Sequence, residues 1–179
     1  MIKTFIIFVD GPMGSGKTTT SKLLNSELPD TARIAFPDIK RLIPNYKENE
    51  KTIPIIKDVM VAMIDKYLEH GVSVVVEQIT KQEGIEKLKQ IADKHEATFL
   101  AYRMSAPKDV RWERVKERTR QMMEIEQLSE SKIEQLRGYF EPNNKFYEDN
   151  PSDLSLEIDT LANNPAEVVE IIKKNVEFK

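Results

Sequence analysis

Glycines at positions 11, 14 and 16 stand between the apolar run Phe5-Ile6-Ile7-Phe8-Val9 and the pair Lys17-Thr18. This spacing, Gly-x4-Gly-Lys-Thr, constrains the chain more than any other feature. A backbone that turns tightly with its N–H groups pointing inward leaves no room for Cβ atoms near an enclosed anion, which is why glycines recur there. Gly11, Pro12, Met13, Gly14, Ser15, Gly16, Lys17, Thr18 and Thr19 are thus expected to cradle the phosphates of a nucleotide, ATP, at the start of a helix. Lys17 supplies a point charge for the β and γ phosphates and Thr18 a hydroxyl for Mg²⁺, while the helix N-terminus lies under the anion.

The rest of the chain alternates in the same way. Strands are expected over residues 4–10, 32–36, 72–77, 97–104 and 153–158, from short runs rich in β-branched and aromatic residues. The run Val72-Ser73-Val74-Val75-Val76 reads as a strand covered on both faces, as in a parallel sheet. Ile55, Ile56, Val59, Met60, Met63, Ile64, Tyr67 and Leu68 recur at helical spacing ahead of Gly71, and Ile85, Leu88, Ile91 and Ala92 form the next stripe. Asn164-Pro165-Ala166-Glu167 joins an N-cap, a proline at the first helical position and an early acid, a helix start. Such an order predicts a three-layer α/β/α fold around a central, mostly parallel sheet of five strands. Residues 37–54, polar with three prolines, and residues 121–131, polar between two helices, read as surface excursions over one end of the sheet.

Composition narrows the function classes. With 179 residues, 40% hydrophobic and 32% charged, the chain is expected to form a single domain spanning 1–179. A net charge of −3 argues against broad attraction to nucleic acid, so phosphates must be met locally. The absence of cysteine excludes thiol chemistry, disulfides and thiolate metal sites, and two histidines make a zinc site unexpected. Neither the N-terminal apolar run nor any later segment approaches the roughly 20 apolar residues that span a bilayer. The expectation is a soluble, cytoplasmic protein, monomer or dimer.

Further residues gather where a parallel sheet would place them beside the phosphate loop. Glu77 closes the third strand, at the carboxyl edge where an acid can reach Mg²⁺ or its waters. Arg111, Arg114 and Arg118 are spaced three and four apart and share one helix face, with Arg120 beginning the polar stretch. No Asn-Lys-x-Asp sequence occurs, which disfavours a guanine-nucleotide switch.

The segment Phe36-Pro37-Asp38-Ile39-Lys40-Arg41 after the second strand carries Asp-x-x-Arg, and with the phosphate loop it resembles small P-loop kinases of the gluconokinase, shikimate kinase, chloramphenicol phosphotransferase, zeta-toxin and polynucleotide kinase group. In that group the aspartate accepts the proton of the substrate hydroxyl and the arginine helps to hold substrate or phosphate. The resemblance assigns these roles to Asp38 and Arg41. The helix from Asp109 to Arg120 is similar to the one entering the lid of nucleoside-monophosphate-kinase-like proteins, which implies a lid over about 118–131, with Arg118 and Arg120 closing on ATP and Arg114 near adenine. Tyr139-Phe140-Glu141-Pro142 and Ile158-Asp159-Thr160 extend the likeness, the latter where relatives keep an adenine pocket. Thymidylate kinases differ, carrying Asp-Arg where this chain has Glu77-Gln78.

The expected activity is therefore Mg²⁺-dependent transfer of the ATP γ-phosphate to a hydroxyl of a small metabolite, with catalytic Lys17, Asp38, Arg41, Arg118 and Arg120 and with Thr18 and Glu77 on the metal. Two alternatives stay open: a nucleotide or polynucleotide 5′-kinase, and an ATP-dependent binding module with little transfer activity.

Overall fold

The computed structural model describes residues 4–43 and 51–177. Strand β1 (Phe5–Asp10) is buried at every position, so it can only be a central strand covered on both faces. It lies between β3 (Ser73–Glu77) and β4 (Thr98–Ser105), with β2 (Thr31–Ala35) and β5 (Leu156–Asp159) at the edges. The order is β2-β3-β1-β4-β5 and every pairing is parallel.

The two-residue period of the strands sorts side chains into two cores. Ile6 and Phe8 join Ile34, Val74 and Val76 against helices α3 (Thr52–Glu69) and α4 (Gln82–Lys94). Phe5, Ile7 and Val9 join Val75, Leu100, Tyr102, Met104 and Ile158 against α1 (Lys17–Glu27) and α7 (Pro165–Glu177). Each such apolar side chain contributes about 1.5–3 kcal/mol by leaving water, which makes the central strand the anchor of the three-layer α/β/α fold. A third, smaller cluster joins Val115 of α5 (Lys108–Met123) to Leu136 and Phe140 of α6 (Glu130–Asp149), with Met13, Trp112 and Leu128 packed against it.

The helical stripes resolve more finely than their spacing alone suggested. On α3 only the row Ile56, Met60, Ile64 and Leu68 is buried, while Ile55, Val59 and Tyr67 remain exposed. Gly71, at φ +74°, ends that helix as expected. At the start of α7, Asn164 Oδ1 accepts the amides of Ala166 and Glu167, and Glu167 Oε2 accepts the Asn164 amide, a complete reciprocal cap.

Several boundaries differ from the sequence expectation. Phe36 leaves β2 and opens a short helix, α2 (Phe36–Lys40), with Pro37 in its first turn, where a missing N–H costs nothing. β5 begins only at Leu156. The segment 37–54 is framed by α2 and by α3 from Thr52, and its residues 44–50 lie outside the described residues. The polar stretch 121–131 is largely helical: α5 continues to Met123 and α6 begins at Glu130 under a cap from Ser129, leaving a link of residues 124–129. Polar composition hid these turns because an exposed helix needs few apolar residues. Among the described residues no helix is long and apolar enough to cross a membrane.

Candidate active site at the carboxyl edge of the sheet

All five strands deliver their carboxyl ends to one edge, and the loop leaving β1 occupies its centre. Gly14 has φ +81°, and a Cβ there would lie 2.4 Å from the carbonyl oxygen of Arg111, so α5 rests directly on the loop backbone. Gly11 has the same restriction against the Met104 carbonyl oxygen, also at 2.4 Å. The loop therefore sits in a groove that accepts only glycine at these two contacts.

The loop is held from outside by side chains of α5 and α6. Arg111, buried, donates from NH1 to the Met13 carbonyl at 3.3 Å and to Asn144 Oδ1 at 2.6 Å, and from Nε to the Ala106 carbonyl at 2.9 Å. Asn143 Oδ1 accepts the Met13 amide at 2.6 Å. Tyr147 accepts the Gly11 amide at 3.2 Å and donates its hydroxyl to Asp10, whose other oxygen pairs with Arg103 at 3.2 Å. Burial pushes the Asp10 carboxyl above its ordinary value despite the opposing hydrogen bonds from Tyr147 and Gly11 and the Arg103 charge. Phe140, Asn143, Asn144 and Tyr147 fall at i, i+3, i+4 and i+7, one face of α6 turned toward the loop. None of these α6 contacts was foreseen from the sequence.

On its inner side the loop opens into a cleft of about 510 Å³, lined by Gly14, Gly16, Lys17, Thr18, Thr19, Arg114, Arg118, Thr160 and neighbouring residues. Lys17 Nζ donates to the Pro12 carbonyl at 3.2 Å. Burial pushes its ammonium down to about 8; Glu77 and Asp10 oppose this, whereas Arg118 and Arg111 add to it. An anion in the cleft would relieve that cost. Arg118 is exposed and lines the cleft. Arg114 also lines the cleft, but its guanidinium is bound to Thr160, donating to Oγ1 and to the carbonyl oxygen, each at 2.8 Å. It ties α5 to the loop after β5 and so shapes the nucleotide wall. Arg120 does not reach the cleft: it pairs with Glu117 on the outer side of α5. Two residues are 200° apart around a helix, so Arg118 and Arg120 cannot face one site.

Thr18 and Glu77, the two residues the sequence reading assigns to Mg²⁺, are in contact. The Thr18 hydroxyl donates to Glu77 Oε1 at 2.5 Å and the Ser21 hydroxyl to Glu77 Oε2 at 2.7 Å. Burial alone would raise the Glu77 carboxyl; the hydrogen bonds from Thr18, Ser21 and Arg33, with the Arg33 charge, hold it below its ordinary value. Among the described residues no group of three or more His, Cys, Asp or Glu side chains forms a self-sufficient metal cage. A hydroxyl and one carboxylate beside a phosphate loop do fit Mg²⁺, which takes one or two hard oxygen donors from protein and completes its shell with phosphate and water.

Asp38, half-exposed at 45%, stands on α2 beside this pair. Arg41 NH1 meets its Oδ1 at 2.6 Å, so Asp-x-x-Arg does form an ion pair one helical turn apart. A third residue joins the two sides. Arg33 of β2 donates from NH1 to Asp38 Oδ2 at 2.5 Å, from NH2 to Glu77 Oε2 at 2.5 Å and from Nε to Ser21 Oγ at 2.8 Å. The sequence signalled Arg33 only as a charged residue inside a strand, a signal not taken up above.

The family model described as an AAA domain, AAA_33, matches residues 6–143, the stretch from β1 into α6 that carries the site contacts above except those of Asn144, Tyr147 and Thr160. The chain belongs to the AAA_33 family. Solved structures share its fold over nearly the full length. A candidate kinase from Chloroflexus aurantiacus superposes with a TM-score of 0.71 at 18% identity, covering 99% of this chain and 98% of that one. The tunicamycin resistance protein of Deinococcus radiodurans gives 0.62 at 16% identity, with 97% and 96% covered. Shikimate kinase from Acinetobacter baumannii, solved with shikimate, gives 0.60 at 18% identity, with 98% and 94% covered. At these identities the likeness is one of fold. No curated protein matches by sequence. The chain thus has the family and the fold expected from the Gly11–Thr18 loop, a fold that it shares with proteins described as kinases.

Proposed function

We propose that this protein is a magnesium-dependent ATP phosphotransferase that acts on a hydroxyl of a small metabolite. The observation that carries the reading is the placement of Asp38: an accessible carboxylate on α2, one guanidinium away from the Glu77–Thr18 pair that borders the phosphate loop. In this reading the Asp38 carboxylate, joined through Arg33 to the Glu77–Thr18 pair, takes the proton of an alcohol. Phosphoryl transfer asks the protein mainly for positioning and charge neutralisation.

In this reading the loop amides and Lys17 hold the β and γ phosphates, and Arg118 approaches from α5. Arg114 and Thr160 wall the nucleoside side of the cleft. The acceptor lies over α2, with Asp38 accepting its hydroxyl proton and Arg41 on the acceptor side. The acceptor oxygen forms a bond to the γ-phosphorus while the bond to the β–γ bridging oxygen breaks, so ADP departs with that oxygen and the proton resides on Asp38. Thr18 and Glu77 would hold Mg²⁺, which supplies charge neutralisation on the β and γ oxygens when bound.

The test is ADP release measured against panels of sugars, hydroxy acids, nucleosides and 5′-hydroxyl oligonucleotides. Stimulation by at least one small hydroxyl compound, lost in Lys17→Ala, supports the reading. Stimulation by oligonucleotides alone would move the acceptor class to nucleic acid. Tight ATP binding with no acceptor phosphorylated would replace the enzyme by a binding module.

A further inference from the structure

Arg33 is fully committed at the sheet edge. Its side chain is only 12% exposed, and each of its three nitrogens has an oxygen partner: Ser21, Asp38 and Glu77. Glu77 is 3% exposed, so its negative charge resides almost wholly inside the protein. A carboxylate buried to that degree needs a resident cation or a strong set of donors. In this structure Arg33 is that cation, with the Thr18 and Ser21 hydroxyls as further donors.

The same carboxylate is the one that the proposed reaction gives to Mg²⁺. A guanidinium nitrogen 2.5 Å from Glu77 Oε2 and a divalent ion on that carboxylate repel each other, and the repulsion acts where water is scarce. Asp38 offers Arg33 an alternative partner on its other terminal nitrogen, at the same 2.5 Å. The planar fork is suited to this because two carboxylates engage separate N–H groups of one rigid plane, which a lysine ammonium cannot reproduce.

We propose that Arg33 is a positioning residue that serves as the built-in counter-cation of Glu77 until Mg²⁺ enters, and that stays on Asp38 when Glu77 turns to the metal. Loading of the donor side thereby concentrates the Arg33 charge on the acceptor carboxylate and fixes its orientation. The inference rests on the reading of Glu77 as the metal-side acid and Asp38 as the acceptor-side acid.

The experiment is a Mg²⁺ titration of the full chain with a fluorescent ATP analogue, reading the midpoint of metal-dependent binding and not turnover. In Arg33→Gln two carboxylates lose their shared cation, so the midpoint falls by about fivefold or more. Arg41→Gln removes an equal charge from Asp38 at an exposed site that does not touch Glu77, and shifts the midpoint less than twofold. A residue needed only for folding would move the midpoint upward or leave it in place. Should Arg33→Gln fail to give a cooperative melt, Arg33→Lys, able to meet one carboxylate but not both, shifts the midpoint in the same direction by about twofold. An unchanged or raised midpoint in the folded variant, or an equal shift in Arg41→Gln, overturns the inference while leaving the kinase reading in place. Wild-type binding that ignores Mg²⁺ overturns the metal-side reading of Glu77, and the inference with it.

Discussion

Asn143 of α6 accepts the amide proton of Met13, in the middle of the phosphate loop, at 2.6 Å across 130 positions of sequence. The outer face of the loop is thus organised by a helix that follows the 124–129 link. Without Asn143 the Met13 amide loses its acceptor, and the loop gains freedom to leave its phosphate-ready curvature. Asn143→Ala is expected to weaken ATP-analogue binding several-fold and to lower stability by about 1 kcal/mol. Equilibrium fluorescence binding and a thermal melt check both, and unchanged affinity would show that Arg111 and Tyr147 hold the loop without Asn143.

The Lys17 ammonium, pushed down to about 8 by burial, makes nucleotide affinity depend on pH. Phosphate favours the charged form and raises this value in the complex. The Lys17 contribution is therefore complete below 8 and declines as pH rises through that value. ATP-analogue binding is expected to be up to about tenfold weaker at pH 9 than at pH 7.5. Calorimetry in buffers of different ionisation enthalpy should show proton uptake on binding near pH 8.5. A flat profile in Lys17→Ala identifies the group.

Among the described residues Asp38 pairs with Arg33 and Arg41 and makes no hydrogen bond to the phosphate loop. Asp38→Asn is expected to leave ATP affinity within about twofold and to reduce transfer to the true acceptor by roughly 10²–10⁴-fold, the usual range for losing a positioned base. The split between binding and turnover is what matters. Near-wild-type turnover would remove Asp38 from the chemistry.

At α7, Asn164 and Glu167 exchange hydrogen bonds around the helix start, between Asn163 and Pro165, which line the cleft. Asn164→Ala is expected to cost about 1 kcal/mol and, by loosening that wall, to weaken nucleotide binding modestly. A melting curve paired with a binding isotherm tests both halves of that statement.

Local rules made much of this molecule legible. The loop from Gly11 to Thr18, the buried β3 run, the Gly71 stop and the Asn164 cap each express a preference carried by adjacent residues, and each appears where it was expected. The parallel sheet followed from their alternation. Glu77 reached Thr18 because strand ends share an edge. Arg33 was missed because its meaning depends on partners 5, 12 and 44 positions away, brought together only by the β2–β3 register and the packing of α1. Asn143 and Tyr147 were missed for the same reason, since nothing in their neighbourhood marks them as partners of a loop 130 and 136 positions earlier, and Asn144 because its partner Arg111 lies 33 positions back. Arg120 was overrated because a cluster of arginines reads as one group until helical phase separates it, and Glu117 claims it on the far side.

Helix α5 is anchored over the turn from Arg111 to Arg114 and extends beyond it. Arg111 is pinned to Met13, Ala106 and Asn144 and Arg114 to Thr160, whereas Arg118, one turn further on, lines the cleft. At 1.5 Å per residue the arm from Arg114 is about 6 Å long, so a tilt of about 20° there would sweep Arg118 through about 2 Å. That is the difference between a water-separated and a direct contact with a phosphate, and it requires no change in the fold of either end.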